Sequence, residues 1–209
     1  GTEALTVSVA TALVAAPAPT RQNTCSPHCA RPTAVGSIWI QVSPASATSD
    51  ESPKDWVGFG KVKHQVLKLY VVPTTSGTGS EATMGAVISD AQTHQKGVIS
   101  GATLLPLTTA LDPDLMLGLP PHITAATGMD ALTHAIEDFV GQWSTDFTDR
   151  MALAAVGMIY GNLRIAYKNG KNLAAREQMA LAATYAGLAF TRANVGYVHA
   201  IAHQLGGKY

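Results

Sequence analysis

Charge is scarce in this chain. Only 13% of its 209 residues are Asp, Glu, Lys or Arg, and 14 acidic and 14 basic side chains cancel to a formal charge of zero. Lys and Arg form no block or stripe, so the electrostatic footprint of a nucleic-acid binder, or of a protein drawn to anionic membranes, is missing. Cysteine is nearly absent too. Cys25 and Cys29 are the only two, too few for a disulfide framework and in keeping with a reducing compartment. The one stretch that invites reading as a signal segment, residues 4–19, has no basic start and is too short to span a bilayer. What remains is a soluble, cytoplasmic protein. With 46% hydrophobic residues it has material for a substantial core, in one large domain or two small ones.

Residues 1–55 are rich in Ala, Ser, Thr and Pro and show no sustained period, a composition that struggles to repay its ordering entropy. Residues 5–14 and 35–42 are candidate short strands. Cys25-Ser26-Pro27-His28-Cys29 contains metal-ligating side chains, but without a second cluster it reads as loop. Order is expected from near Val66. Residues 66–72 are β-branched, aromatic and apolar and are closed by Pro73, which predicts a buried strand. Residues 84–90 and 96–100 predict two more, with Asp90-Ala91-Gln92-Thr93 as the turn between them. Leu111-Asp112-Pro113-Asp114-Leu115 reads as a turn, and Leu119-Pro120-Pro121 marks a boundary. Beyond it the pattern is helical: residues 124–140, with apolar Met129, Leu132, Ile136 and Phe139 at 3/4 spacing, then 147–167, 173–191, and a last helix from about Gly196 that stops at Gly206-Gly207.

Two stretches carry chemistry. Asp130 and His134 stand four residues apart on a predicted helix, so both side chains leave the same face one turn apart. His199 and His203 repeat that spacing on the last helix. Laid face to face, the two helices present one oxygen and three nitrogens, ligand types that Zn(II) or Fe(II) accept. A carboxylate and imidazoles are costly to bury in so uncharged a setting without a cation. Glu137 is read as facing another direction and as structural; His28, His64, His94 and His122 receive no role. The second stretch is Thr74-Thr75-Ser76-Gly77-Thr78-Gly79-Ser80-Glu81, at the end of a predicted strand. There glycines let backbone approach a ligand and hydroxyls offer donors and acceptors for a nucleotide, or alternatively the loop is a flexible turn capping a helix through Ser80. It is neither a Walker sequence, since no Lys follows its glycines, nor a G-x-G-x-x-G fingerprint. Lys96 adds a nearby cation.

The run from Pro73 to Glu81, Lys96, Leu111-Asp112-Pro113, Leu119-Pro120, Gly128-Met129-Asp130-Ala131-Leu132-Thr133-His134-Ala135-Ile136-Glu137 and Gly196-Tyr197-Val198-His199-Ala200-Ile201-Ala202-His203-Gln204-Leu205-Gly206-Gly207 together resemble the iron-dependent (group III) alcohol dehydrogenases, over residues 66–209. The resemblance implies a mixed fold, α/β plus all-α. A partial nucleotide-binding α/β part (residues 61–119) would be followed by an incomplete helical metal-binding domain (120–209) of the dehydroquinate synthase-like kind, with an atypical segment (1–60) ahead of them. It also implies hydride transfer between an alcohol or aldehyde and NAD or NADP, with Fe(II), or Zn(II), as the metal. By it, Asp130, His134 and His199 match metal ligands, and His203 matches a histidine beside the nicotinamide, suited to relaying the hydroxyl proton. Thr74, Thr75, Thr78, Thr83, Lys96 and Leu115 match cofactor-contacting positions. A homo-oligomer is expected, and neither nucleic acid nor membrane as partner.

Two departures stand beside the resemblance. The Gly-Gly-Gly-Ser motif that receives the cofactor's pyrophosphate in the family has no counterpart in residues 1–60, and the further histidine that supplies a fourth ligand would lie past Tyr209. The expectation is a chain lacking both ends of a family member. A competing reading is an inactive fragment that keeps a partial metal site and associates with other chains; a metal-dependent hydrolase would leave residues 74–81 unexplained.

Overall fold

The computed structural model describes residues 12–13, 38–89 and 96–208. Cys25, His28, Cys29, His94 and the turn expected at residues 90–93 lie outside them, as does most of the strand expected at residues 5–14. Ahead of Pro121 the chain forms a small α/β part. Helix α1 (Ile38–Ser46) packs on a sheet of order β2-β5-β4, where β4 (Gly85–Ser89) and β5 (Lys96–Ser100) pair antiparallel from Gly85↔Ser100 to Ser89↔Lys96. β2 (Gly58–Phe59) lies parallel on the far side of β5. A second sheet joins β1 (Ala12–Leu13), β3 (Tyr70–Val72) and β6 (Thr108–Thr109), with β3 and β6 parallel. Parallel neighbours need a crossover. Here it consists of residues 73–107, which include the glycine-rich loop and the β4–β5 pair.

The strands at residues 84–90 and 96–100 emerge as expected. Of the strand expected at residues 35–42, residues 38–42 are helical instead, even with Pro44 further along the helix, and residues 35–37 lie outside the described ones. Nor is residues 66–72 one long strand, since only Tyr70–Val72 pairs and Leu67 is exposed. The core also starts well upstream of Val66. Val42, Ala45, Trp56 and Val62 are buried with Ala86, Ile88, Ile99 and Leu104 in one cluster.

Beyond Pro120 the chain is helical: α2 (Pro121–Phe139), α3 (Asp146–Lys168), α4 (Leu173–Ala193) and α5 (Tyr197–Lys208). Local chemistry sets their starts. Pro121 occupies the first turn of α2, where a missing N–H costs nothing. Thr145 and Thr148 form a reciprocal capping box on α3, and Asn172 accepts from the Ala175 N–H at 3.0 Å to cap α4. Arg176 fastens the start of α4 to the start of α2, donating to Thr124 Oγ1 (2.8 Å), Leu119 O (3.2 Å) and Gly170 O (2.9 Å). Helix α5 runs through Gly206 and Gly207 instead of stopping there.

The interhelix core is made of alanine. Ala131, Ala135, Ala152, Ala155, Ala182, Ala183, Ala186 and Ala189 are buried together, with Ile159 and Met179 as the larger members. Small side chains let helices α2, α3 and α4 come close, and that shifts the expected face of α2: Leu132 packs against the core as expected, but Met129, Ile136 and Phe139 are exposed, whereas Gly128, Ala131 and Ala135 face the bundle. A Cβ on Gly128 would stand 2.3 Å from Leu163 Cδ1, which accounts for glycine inside that helix.

One carboxyl group lies on this buried face. Asp138 is 0% exposed and neither of its carboxyl oxygens has a hydrogen-bond partner. Burial first, then the neighbouring Glu137 charge, pushes it up to about 8 against a weaker opposing pull from His199. A carboxyl whose folded pKa exceeds its unfolded one destabilises the fold progressively as pH rises through the interval between them. An Asp138→Asn variant, which cannot ionise, should therefore gain stability relative to the unsubstituted chain as pH is raised from about 4 to 8. Urea unfolding at several pH values checks this, and a pH-independent difference would contradict it.

Candidate metal centre

Helices α2 and α5 meet at their polar residues. Asp130, His134 and His199 each offer one donor atom, and these atoms lie within 4.8 Å of one another. His134 and His199 are buried and Asp130 is partly so. Of the four donors read from the spacing the structure brings three together: one turn of α2 supplies two and α5 brings the third. His134 is stacked against both His199 (centroids 4.3 Å apart, planes at 13°) and Phe190 of α4 (4.3 Å, 21°). His203 stands edge-on to His199 with centroids 5.9 Å apart and lies outside the three-donor group.

Glu137 also joins the site. It follows Asp130 by seven residues and His134 by three, so it shares their face of α2, contrary to the direction expected of it. Its Oε2 pairs with His199 Nδ1 at 2.5 Å and accepts the Gly196 N–H at 2.9 Å, while Oε1 accepts the Val198 N–H at 2.6 Å. The i,i+7 spacing was the signal available in the sequence.

Protonation follows from these contacts. Burial drives His134 down to about 4, with Asp130 opposing and His199 reinforcing. It is a neutral imidazole at pH 7 with a lone pair to give. Burial alone would raise Asp130, yet His199 at 3.4 Å and then the other nearby imidazoles, His134 and His203, outweigh it and hold the carboxylate below its usual range. His199 is raised despite burial, because Asp130 and Glu137 flank it. His203 is lowered by burial, by Lys96 and by His199.

The donors fit a divalent ion on two structural counts. His134 Nδ1 is buried with no hydrogen-bond partner, a cost a native fold seldom tolerates. His199 Nε2 and Asp130 Oδ1 are 3.4 Å apart, longer than a charge-assisted hydrogen bond; two donors each about 2.1 Å from one tetrahedral ion stand roughly that far apart. One oxygen and two imidazole nitrogens suit Fe(II) or Zn(II).

The glycine-rich loop lies over this centre. A backbone group of Gly77 lies close enough to His134 to favour its protonated form, a small pull against burial. The glycines serve helix contact as much as ligand access: a Cβ on Gly77 would meet Thr127 Cβ at 2.7 Å, and one on Gly79 would meet Gly187 Cα of α4 at 2.8 Å. Gly79 also takes φ 59°, the left-handed region. Of the expected cofactor-contacting positions, Thr74 and Thr78 are partly exposed and Thr75 is buried. Thr83 is buried behind the loop, where Gln41 Nε2 donates to its carbonyl (2.8 Å), to its Oγ1 (3.3 Å) and to Ser80 O (2.8 Å). Lys96 lies across from α5, its Nζ 3.3 Å from where a Cβ on Gly206 would be, and Leu115 is exposed on a 3-10 turn (Pro113–Met116). Glu81 is buried; its pKa is raised by that burial, against the hydrogen bond that Thr184 of α4 donates to it at 2.7 Å.

A strand-end loop beside a helical set of one carboxylate and two imidazoles that could hold a metal ion marks a protein of mixed α/β and all-α architecture. The iron-containing alcohol dehydrogenase sequence model matches residues 41–113, and that of the C-terminal part of the Fe-containing alcohol dehydrogenase family matches residues 124–209. The chain belongs to this family over residues 41–209, a span that starts upstream of Val66. It is 45% identical to 1,3-propanediol dehydrogenase of Citrobacter freundii over 164 residues, which cover 78% of this chain and 42% of that one. The crystal structure of a 1,3-propanediol oxidoreductase superposes with a TM-score of 0.78 at 43% identity, over 81% of this chain and 44% of the other. That of sulfoacetaldehyde reductase from Bifidobacterium kashiwanohense in complex with NAD+ gives 0.75 at 37%, over 80% and 46%. The chain thus spans less than half the length of the relatives it matches.

In the metal-free protein the His134 ring should titrate near 4, well below an ordinary histidine. Following the imidazole proton shifts by NMR between pH 3 and 8 checks this, and a midpoint above 6 would show that its burial is not maintained in solution.

Proposed function

We propose that this chain carries the metal centre and part of the nicotinamide-facing surface of an alcohol dehydrogenase, which moves a hydride between an alcohol or aldehyde and NAD or NADP. The observation that carries the reading is the juncture of the loop with the donor set: His134 belongs to the three-donor group and touches Gly77. We assign the cofactor-facing part to residues 61–119 and the metal-binding part to 120–209. A soluble, cytoplasmic protein fits the described residues, none of whose helices is long and apolar enough to cross a membrane. Assembly with further copies fits the exposed apolar residues of α5, among them Tyr197 at 87% exposure.

Asp130, His134 and His199 would hold Fe(II) or Zn(II), which supplies Lewis acidity toward a hydroxyl oxygen, while the redox chemistry belongs to the nicotinamide. The chain's own residues divide the rest. Asp130 stays anionic and supplies charge; His134 stays neutral and supplies a lone pair. His203 is the group to take the hydroxyl proton, because burial, Lys96 and His199 keep it neutral and able to accept. Thr74 and Thr78 offer hydroxyls on the loop beside the cofactor. Thr83 works from behind, bonded with Ser80 to Gln41 so that the loop backbone keeps its course. Lys96 places a cation at the start of β5, toward α5, and Leu115 gives an apolar contact.

Metal analysis of the purified chain together with an NADH and NADPH titration tests the reading. Stoichiometric Fe or Zn that disappears in Asp130→Ala, with nucleotide binding in the unsubstituted chain, is expected. Absence of both metal and nucleotide binding would overturn it.

A further inference from the structure

One carboxylate of α2 gathers the start of helix α5. Glu137, itself buried, receives the N–H groups of Gly196 and Val198 at the start of α5 and the ring Nδ1 of His199 one residue further on, at 2.9, 2.6 and 2.5 Å. The outer face of the helix has little other support: Tyr197, Val198, Ile201 and Leu205 are all exposed. Glycine at 196 is part of the device, since a Cβ there would fall 2.9 Å from Glu137 Oε1. A helix start carries unsatisfied N–H groups and favours an anion, but a cap alone does not account for the third bond. That one reaches the far side of the ring whose Nε2 faces Asp130 Oδ1.

We propose that Glu137 is a positioning residue of the metal centre. Its carboxylate takes the Nδ1–H of His199 and so fixes the tautomer that leaves Nε2 as a lone pair directed at Asp130, while the same two oxygens dock the helix that carries the ring. In the neutral ring Nε2 and Asp130 Oδ1 then face each other as two acceptors 3.4 Å apart, an arrangement that a proton or a metal ion between them relieves. A neutral histidine has one proton to place, and the nitrogen that holds it cannot bind metal. Carboxylate partners that settle this question for ligating histidines typically contribute 10- to 100-fold in metal affinity. The proposal rests on the metal-centre reading given above and adds to it the residue that decides which nitrogen is free.

The test is Co(II) titration of the full chain, read by its visible absorption, combined with 15N NMR of the His199 ring in the metal-free protein at alkaline pH, where the ring is neutral. Glu137→Gln keeps the size but cannot serve all three donors. It should weaken Co(II) binding by roughly 10- to 100-fold and shift His199 from the Nδ1–H form to a mixture of tautomers, at unchanged helix content by circular dichroism. Ile201→Gly weakens α5 at an exposed position away from Glu137; it should leave both the tautomer and the Co(II) affinity near those of the unsubstituted chain. If both variants weaken Co(II) alike and the His199 tautomer is unchanged in both, Glu137 is only an anchor for α5 and the proposal falls. If the unsubstituted chain binds no Co(II), the metal-centre reading fails, and the tautomer shift in Glu137→Gln still decides the role of Glu137: present, it stands; absent, it falls.

Discussion

Gly79 of the loop and Gly187 of α4 touch backbone to backbone, and the rest of the arrangement depends on that contact. A Cβ on Gly187 would sit 2.6 Å from Gly79 O, closer than real Cβ atoms approach, so the loop lies against α4 only because both residues are glycine. From there the loop continues into a 3-10 turn, Ser80–Ala82, where Glu81 receives the Thr184 hydroxyl and Thr109 donates to the Glu81 carbonyl. Gln41 of α1 closes the same loop from the other side. Three segments far apart in the chain thereby hold Gly77 over His134. The α/β part is in this sense a mount for the roof of a centre whose floor is helical.

The electrostatics of the centre follow from how few charges surround it. In a bundle lined by alanine, a buried carboxylate or imidazolium finds no solvent and few counter-charges, so each group settles on the form its immediate neighbours permit. Asp130 remains ionised because imidazoles surround it, His134 gives up its proton, and Asp138, with no partner for either oxygen, keeps one. Three carboxyl groups within nine residues of one helix thus divide into two ionised and one protonated, since Glu137, like Asp130, is held below its usual range, here by His199 and the N–H groups of Gly196 and Val198 in spite of burial. Such divergence between neighbouring groups is the usual mark of a site arranged for chemistry.

Much of this was legible beforehand. The i,i+4 pairs located the donors because helix geometry leaves little freedom in where such side chains go, and the β4–β5 strands were bounded by turn-forming residues. The failures share a physical cause, which is that composition was weighed by hydrophobicity and not by size. Met129, Ile136 and Phe139 looked like the buried stripe of α2, but close packing chose Gly128, Ala131 and Ala135, whose smallness is worth more than the larger residues' apolar area when helices approach this closely. Residues 38–42 read as strand because Ile38, Trp39, Ile40 and Val42 are β-formers, and the helix they make instead depends on burial against β4, which no local pattern reveals. The role of Glu137 is not local, because its partners Gly196, Val198 and His199 lie 59 to 62 residues further along the chain.

The alanine core also sets the direction in which this protein can change. In a core of leucines and phenylalanines the damaging mutation removes atoms and leaves a hole; methyl groups leave almost nothing to remove. Here the hazard is the added methylene, which has no void to enter and must push two helices apart. Drift in α2, α3 and α4 is therefore capped from above, and any lineage that keeps the Asp130–His134–His199 spacing inherits a ceiling on side-chain volume at Ala131, Ala135, Ala186 and their neighbours. Room for variation lies elsewhere, on the exposed faces, where large residues already stand free.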